Sequence, residues 1–252
     1  MKKGLQMLLI LLCLGSLGMF GYHSLQFHQS EGIYENAAEL AKGAEDAEED
    51  PFTDDPYMTS LQDTDLEALR EVNPDVLGWI LIPDTQLEYP LMKGLDNQYY
   101  LEHTWDKKRS AAGSVFLEQT SSEDLSDTHT VIYGHRMRDG SMFGSLGDYK
   151  KLEYWEKHPY VYIVDDHGVH RYQIFAAYEA DIGSKTYQVG FSGEESMQAF
   201  LDHCVQSSVI DTDIEPLADD RILTLSTCTA AGHNNLRWVV QARLYGQCQN
   251  GL

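Results

Sequence analysis

Apolar and polar positions divide the chain into stretches of different rhythm. From Leu5 to Tyr22 nearly every residue is apolar, with Gln6 and Ser16 the clear exceptions. About 18 such residues make a helix of roughly 27 Å, just enough to span a bilayer. The run is longer than the apolar core of a cleaved signal peptide, and Gly21-Tyr22-His23 is a poor small-x-small cleavage site, so a retained signal anchor is expected. A cleaved signal peptide is the competing reading. Lys2 and Lys3 ahead of the run hold the first residues in the cytoplasm and put everything after about residue 25 outside. From Glu31 to about Asp65 the composition turns acidic, and Ile33, Ala37 and Leu40 form only a thin apolar stripe. This predicts a stalk or a loosely docked helix, a solvated spacer between membrane and domain. Thr64 and Glu67 then form a capping box ahead of Leu66, Leu69 and Val72, with Pro74 ending the helix.

Beyond Pro74 the period shortens to that of strands. VLGWILIPDTQLEYPLM contains two apolar runs split by Pro83 and Asp84; GSVFLE, THTVIYGH, YVYIVDD, HRYQIFAAYEA, RILTLST and LRWVVQARL follow between polar or glycine-containing links. Seven or eight strands with few helices predict a mainly β fold, a closed barrel or a sandwich. One helix interrupts them. Ser192 and Glu195 make a second capping box, and Met197, Phe200, Leu201, Cys204 and Val205 fall on one face. It sits in the long connection before RILTLST, where such insertions often wall a binding site. The expected division is a cytoplasmic start and anchor over 1–25, an acidic stalk over 26–63 and a catalytic domain over 64–252.

Charge and cysteine count narrow the classes. A net charge of −22 over 252 residues excludes the Lys/Arg excess that phosphate binding needs, so no nucleic-acid partner is expected. The 4 cysteines form no disulfide framework. Cys13 lies in the apolar run, Cys204 packs on the helix face and Cys248 is near the end; a Cys204–Cys248 bridge is the alternative pairing outside a cell. Cys228 remains.

Cys228 ends the strand ILTLST, and Arg237 opens LRWVVQARL beyond a short turn containing Gly232 and Asn234. A thiol facing a guanidinium across adjacent strands has its thiolate favoured and an oxyanion partner at hand. A base is needed, and most of the 10 histidines read as surface residues: His23 and His28 on the stalk, His158, His167 and His170 at strand edges or turns, and His203 on its helix's polar side. His135 differs, because it closes THTVIYG just past Gly134 and opens the loop RMRDGSMFGSL. Cys, His and Arg at strand ends can generate and use a thiolate. A secreted cysteine protease would use the same Cys228 and His135. A metal cluster of Cys228, His233 and Cys204 matches no usual zinc spacing, and no metal is expected.

VIYGHRM, TLSTC and LRWVVQARL together resemble the signatures of the sortases, the membrane-anchored cysteine transpeptidases of Gram-positive bacteria, over roughly residues 65 to 246. The resemblance implies an eight-stranded β-barrel with N-terminal helices, with Cys228 as nucleophile, His135 as acid/base and Arg237 as essential arginine. DNQYYL at Asp96 to Leu101, the loop after His135, the N-terminal anchor and the helix before TLSTC are most like class B; in that class Asn97, Tyr133, Ser226 and the adjoining Thr227 correspond to the sorting-signal groove. The implied partners are secreted proteins bearing an Asn/Ser-Pro-x-Thr-like signal and a peptidoglycan precursor or cross-bridge amine. Thioester exchange conserves the acyl group, so no cofactor is implied. TCTAAGHNN also resembles the pilus-building sortases, and Asp50-Pro51-Phe52 and Asp55-Pro56-Tyr57 resemble that class's Asp-Pro-aromatic lid, although such residues also merely punctuate an acidic linker.

Overall fold

Residues rich in Val, Ile and Tyr, broken by turn formers, pair here into one closed sheet. In the computed structural model, residues 2–42, 55–228 and 235–249 are described. The strands are β1 (Val76–Leu81), β2 (Glu88–Met92), β3 (Val115–Leu117), β4 (His129–Gly134), β5 (Tyr160–Asp165), β6 (Gly168–Asp181), β7 (Ile222–Cys228) and β8 (Leu236–Gln249). They close in the order β1-β2-β3-β4-β7-β8-β6-β5, the expected eight-stranded barrel. Pro83 and Asp84 do separate β1 from β2, with Asp84 at φ 59. Alternate residues such as Ile80, Leu91, Val115, Ile132, Ile163, Ile174, Leu225 and Val240 fill the interior.

Parallel pairing of β4 with β7 and antiparallel pairing of β7 with β8 matter most for function. Register runs from His129↔Ile222 to Gly134↔Thr227 in the first pair and ends at Cys228↔Arg237 in the second. The C-terminal ends of β4 and β7 and the start of β8 therefore share one rim of the barrel.

Among the described residues five α-helices accompany the barrel: α1 (Lys2–Ala41), α2 (Pro56–Ser60), α3 (Leu66–Val72), α4 (Leu152–Lys157) and α5 (Glu194–Ser207). On α5, Met197, Phe200, Leu201 and Cys204 are buried as the periodicity requires, against Phe175, Ala176, Tyr178, Ala180, Ile222 and Val239. The small side chains of Ala176 and Ala180 let the helix approach the sheet. Val205 is 43% exposed and stands at the edge of this face.

Both capping boxes differ from expectation. The Thr64 hydroxyl is taken by Leu61 O at 2.8 Å in the preceding turn, so Asp65 caps α3 instead, its Oδ1 accepting from Ala68 N at 2.9 Å. Glu67 pairs with Arg70. Ahead of α5, Gly193 occupies the cap position at φ 146 with no side-chain cap bond. That backbone turn, which only glycine adopts readily, leaves Ser192 one residue too early to cap.

The described start of the acidic segment docks against the barrel. α1 continues without a break to Ala41, and of the expected stripe Ala37 is buried while Ile33 and Leu40 are partly buried on the second apolar cluster. Among the described residues no helix is long and apolar enough to cross a membrane. Asp55 caps α2 through Tyr57 N at 3.0 Å, and its Oδ2 accepts from Tyr162 OH at 2.7 Å and pairs with Arg171. Asp50-Pro51-Phe52 lies outside the described residues. His170 is not at the surface: at 1% exposure it pairs with Asp165 at 2.9 Å, because its strand position points it into the barrel end.

Candidate active site

Register alone brings the catalytic candidates together. Gly134 lies opposite Thr227, so the residues that follow, His135 and Cys228, leave neighbouring parallel strands at the same rim, and Arg237 lies directly opposite Cys228. The Cys228 side chain and the turn over 229–234, with Gly232, His233 and Asn234, lie outside the described residues. Gly134 has a local reason: a Cβ there would meet the Phe143 ring at 2.8 Å. The ring thus closes the loop beneath His135, whose carbonyl accepts from Phe143 N at 2.9 Å.

A cleft of about 350 Å³ opens at this rim, lined by His135, Arg237 and all of the expected groove residues, Asn97, Tyr133, Ser226 and Thr227. His135 is half-buried, its Nε2 2.7 Å from Leu101 O. With that carbonyl as acceptor, Nε2 carries a proton, and Nδ1 is the nitrogen whose protonation changes. Arg237 is half-buried and directs Nη1 to Leu236 O at 2.9 Å. Burial, with Tyr187 and Glu118 nearby, pushes the Tyr133 phenol up to about 12 against the pull of Arg237, so it stays a hydrogen-bond donor.

The expected groove residues are held in different ways. Ser226 Oγ is 2.7 Å from Tyr187 OH. Thr227 Oγ1 is buried without a hydrogen-bond partner among the described residues. Asn97 is engaged at both ends of its amide, donating to Glu118 Oε1 at 2.8 Å and accepting from Gln119 N at 2.8 Å. Although burial opposes it, these bonds and those of Thr120 hold the Glu118 carboxyl below its ordinary range. Asn97 thus fixes the cleft wall.

Leu101, Phe116, Ile182 and Tyr187 also line the cleft, and pattern reading missed them. Leu101 lies within the quoted DNQYYL segment, whereas Tyr187 belongs to a short turn, Lys185–Tyr187, with no periodic signature. Asp55-Pro56-Tyr57 is not a lid in this structure, since its partners Tyr162 and Arg171 belong to β5 and β6 and none of them lines the cleft.

Behind the cleft a buried polar chain ties its strands together. His129 places Nδ1 2.8 Å from Gln188 O and Nε2 2.6 Å from Thr224 Oγ1. Thr224 donates to Gln241 Oε1 at 2.7 Å, and Gln241 Nε2 donates to Tyr178 OH at 3.1 Å. Burial pushes His129 down to about 4, so the ring is neutral near neutral pH. Cys204 accepts from Tyr178 OH at 3.3 Å, and burial pushes its thiol up to about 12; it is packing, as expected. Cys204 and Cys248 are both free, so the alternative bridge is not formed. Among the described residues no group of three or more His, Cys, Asp and Glu side chains is placed to hold a metal.

A closed barrel with a histidine, a cysteine and an arginine brought to one rim beside a cleft defines a thiol-dependent acyl-transfer enzyme. The sortase domain family matches residues 80–245, more than half of the chain, and the chain belongs to the sortase family. Within it the chain is most like class B. It is 33% identical to sortase B of Listeria monocytogenes over 181 residues, 71% of this chain and 74% of that protein, and 33% identical to sortase B of Staphylococcus aureus over 179 residues, 71% and 73%. Among solved structures, a Staphylococcus aureus sortase B–substrate complex superposes with TM-score 0.67 at 33% identity, covering 71% of this chain and 83% of that one. Sortase B from Bacillus anthracis superposes with TM-score 0.72 at 28% identity, covering 87% and 98%. The activity class is that of a sortase-family cysteine transpeptidase of the cell wall.

Proposed function

We propose that this chain is a membrane-anchored class B transpeptidase on the outer face of a Gram-positive cell, which cleaves an Asn/Ser-Pro-x-Thr-like signal after Thr and joins the acyl half to a peptidoglycan precursor amine. The observation that carries the reading is the shared rim: Cys228 opposite Arg237, with His135 leaving the adjacent strand end. The Cys228 thiolate adds to the carbonyl after Thr, and the carbon–oxygen π electrons move onto oxygen. Arg237, charged at any working pH, holds that oxyanion or the neighbouring carbonyls. Collapse expels the amine, which takes a proton from His135, and leaves a thioester on Cys228. An incoming amine attacks the thioester, His135 accepts its proton, and amide formation releases the thiolate. Active enzyme needs thiolate and imidazolium together, so the rate against pH is bell-shaped.

Tyr133, Ser226, Thr227 and Asn97 form the signal groove in this reading. Anchoring is supported by the apolar Leu5–Tyr22 run behind Lys2 and Lys3, which continues as helix into the docked turns of α1. The test is product analysis of the full-length protein with Pro-x-Thr peptides, with and without triglycine or diaminopimelate-type amines, beside Cys228→Ala. Acyl–amine product from the wild type alone supports the proposal. Release of free acid only, whichever amine is present, contradicts it and favours a hydrolase.

A further inference from the structure

The half-buried ring of His135 has two strips of backbone behind it. One is Leu101, whose carbonyl receives the Nε2 proton at 2.7 Å. The other is Gly113, at φ +58, where a Cβ would stand 3.0 Å from His135 Cδ2 and 2.6 and 2.7 Å from the Tyr100 and Leu101 carbonyls. The two strips are zipped together: Ser114 N donates to Tyr100 O and Ser110 N to Glu102 O, each at 2.8 Å, and Ser114 Oγ donates to His103 O at 2.8 Å.

Helix α1 grips this same strip. The Tyr34 hydroxyl donates to Gly113 O and lies 3.3 Å from Ser114 Oγ. One turn earlier Ser30 Oγ is 2.6 Å from Ser110 Oγ, and Trp105 Nε1 donates to Ile33 O at 3.0 Å. The Tyr34 ring also meets Tyr89 edge-on at 5.2 Å between centroids. Tyr89 OH in turn accepts from Met142 N at 2.8 Å, within the loop that follows His135. Burial pushes the Tyr34 phenol well above its ordinary value, so it remains a donor wherever the enzyme works.

We infer that Tyr34 is a positioning residue for His135, acting through Gly113, so that the helix preceding the barrel is a working part of the catalytic site. Gly113 has no side chain to keep it off the imidazole, and its carbonyl is tied down by the phenol on the other side. Shifting that carbonyl moves the contact surface of Cδ2 and, through the zipped strip, the Leu101 carbonyl that orients Nε2. This inference rests on the acid/base role proposed for His135.

The test uses the full-length protein, with Tyr34→Phe removing the hydroxyl and Asp55→Asn as a control that weakens a contact away from this strip. Tyr34→Phe is expected to lower kcat about 5- to 10-fold, roughly the worth of one hydrogen bond expressed in the transition state. KM for a sorting peptide stays within about twofold, and the histidine limb of the pH profile moves. Asp55→Asn is expected to lower thermal stability comparably while leaving kcat and the pH profile in place. A separate readout needs no turnover: the His135 titration followed by NMR is expected to shift by about half a unit or more in Tyr34→Phe and not in Asp55→Asn. An unmoved His135 titration overturns the inference, as does an equal kcat loss in both variants. If the wild type itself turns over no peptide, the proposed activity fails while the NMR comparison still decides the role of Tyr34.

Discussion

Acidification from about pH 7 to about pH 4 is expected to destabilise the barrel through His129 before carboxylate protonation contributes much. The ring is 3% exposed, and its two nitrogens are within hydrogen-bond distance of Gln188 O and the buried Thr224 Oγ1. Burial pushes its value from 6.5 to about 4. The folded protein therefore binds fewer protons than the unfolded chain between those values, so this stability is fully present above the unfolded value and is lost as pH falls toward the folded one. The difference of about 2.5 units corresponds to roughly 3 kcal/mol. His203, also lowered chiefly by burial, acts in the same direction. Asp75, Asp106 and Glu118 are likewise held below their ordinary range by hydrogen bonds and lysine charges that outweigh burial, and their loss begins only at more acid pH. The assay is urea unfolding followed by tryptophan fluorescence at several pH values, for the wild type and His129→Gln. The substitution costs stability at pH 7, and the gap between the two proteins is expected to close by about 3 kcal/mol on reaching pH 4. Curves that stay parallel over that range would rule out His129 as a source of the acid sensitivity.

Two further outcomes follow from the geometry of the cleft and its surroundings. Tyr187→Phe removes the 2.7 Å contact with Ser226 and is expected to raise KM for the peptide several-fold, by roughly 1 kcal/mol of ground-state binding, with kcat little changed; steady-state kinetics that show the loss in kcat instead would place Tyr187 in the chemistry. Asp55→Asn breaks the pairing with Arg171 and weakens the contact with Tyr162, and is expected to cost about 1–2 kcal/mol in chemical unfolding while kcat/KM for the folded enzyme holds. A rise in activity would instead revive the lid reading of Asp55-Pro56-Tyr57.

The grouping of the candidate catalytic residues was legible because each of them ends, follows or begins an apolar strand. Once β4, β7 and β8 pair, strand ends are neighbours by register, and no long-range inference is needed to bring His135, Cys228 and Arg237 to one rim. The buried face of α5 was legible for a similar reason, since a helical period survives any tertiary context. The caps were not, because Thr64 and Gly193 depend on how the preceding turn approaches the helix, which pattern does not encode. Tyr187 escaped notice on an aperiodic turn. His170 looks like an ordinary strand residue until the barrel closes, and His129 until Phe200 of α5 packs over its face of the sheet. Tyr34 lies in an acidic segment whose charge points to a spacer, and only the docked helix reveals that its inner face reaches the strip behind His135.

The most direct test of Cys228 as nucleophile is the intact mass of the full-length protein, quenched in acid within seconds of mixing with a Pro-x-Thr sorting peptide. A nucleophilic Cys228 forms an adduct with the acyl half that is sensitive to hydroxylamine, absent from Cys228→Ala, and discharged to an amide product when triglycine or a diaminopimelate-type amine is added. Peptide cleaved by wild type and Cys228→Ala alike, with no adduct on either, would contradict it.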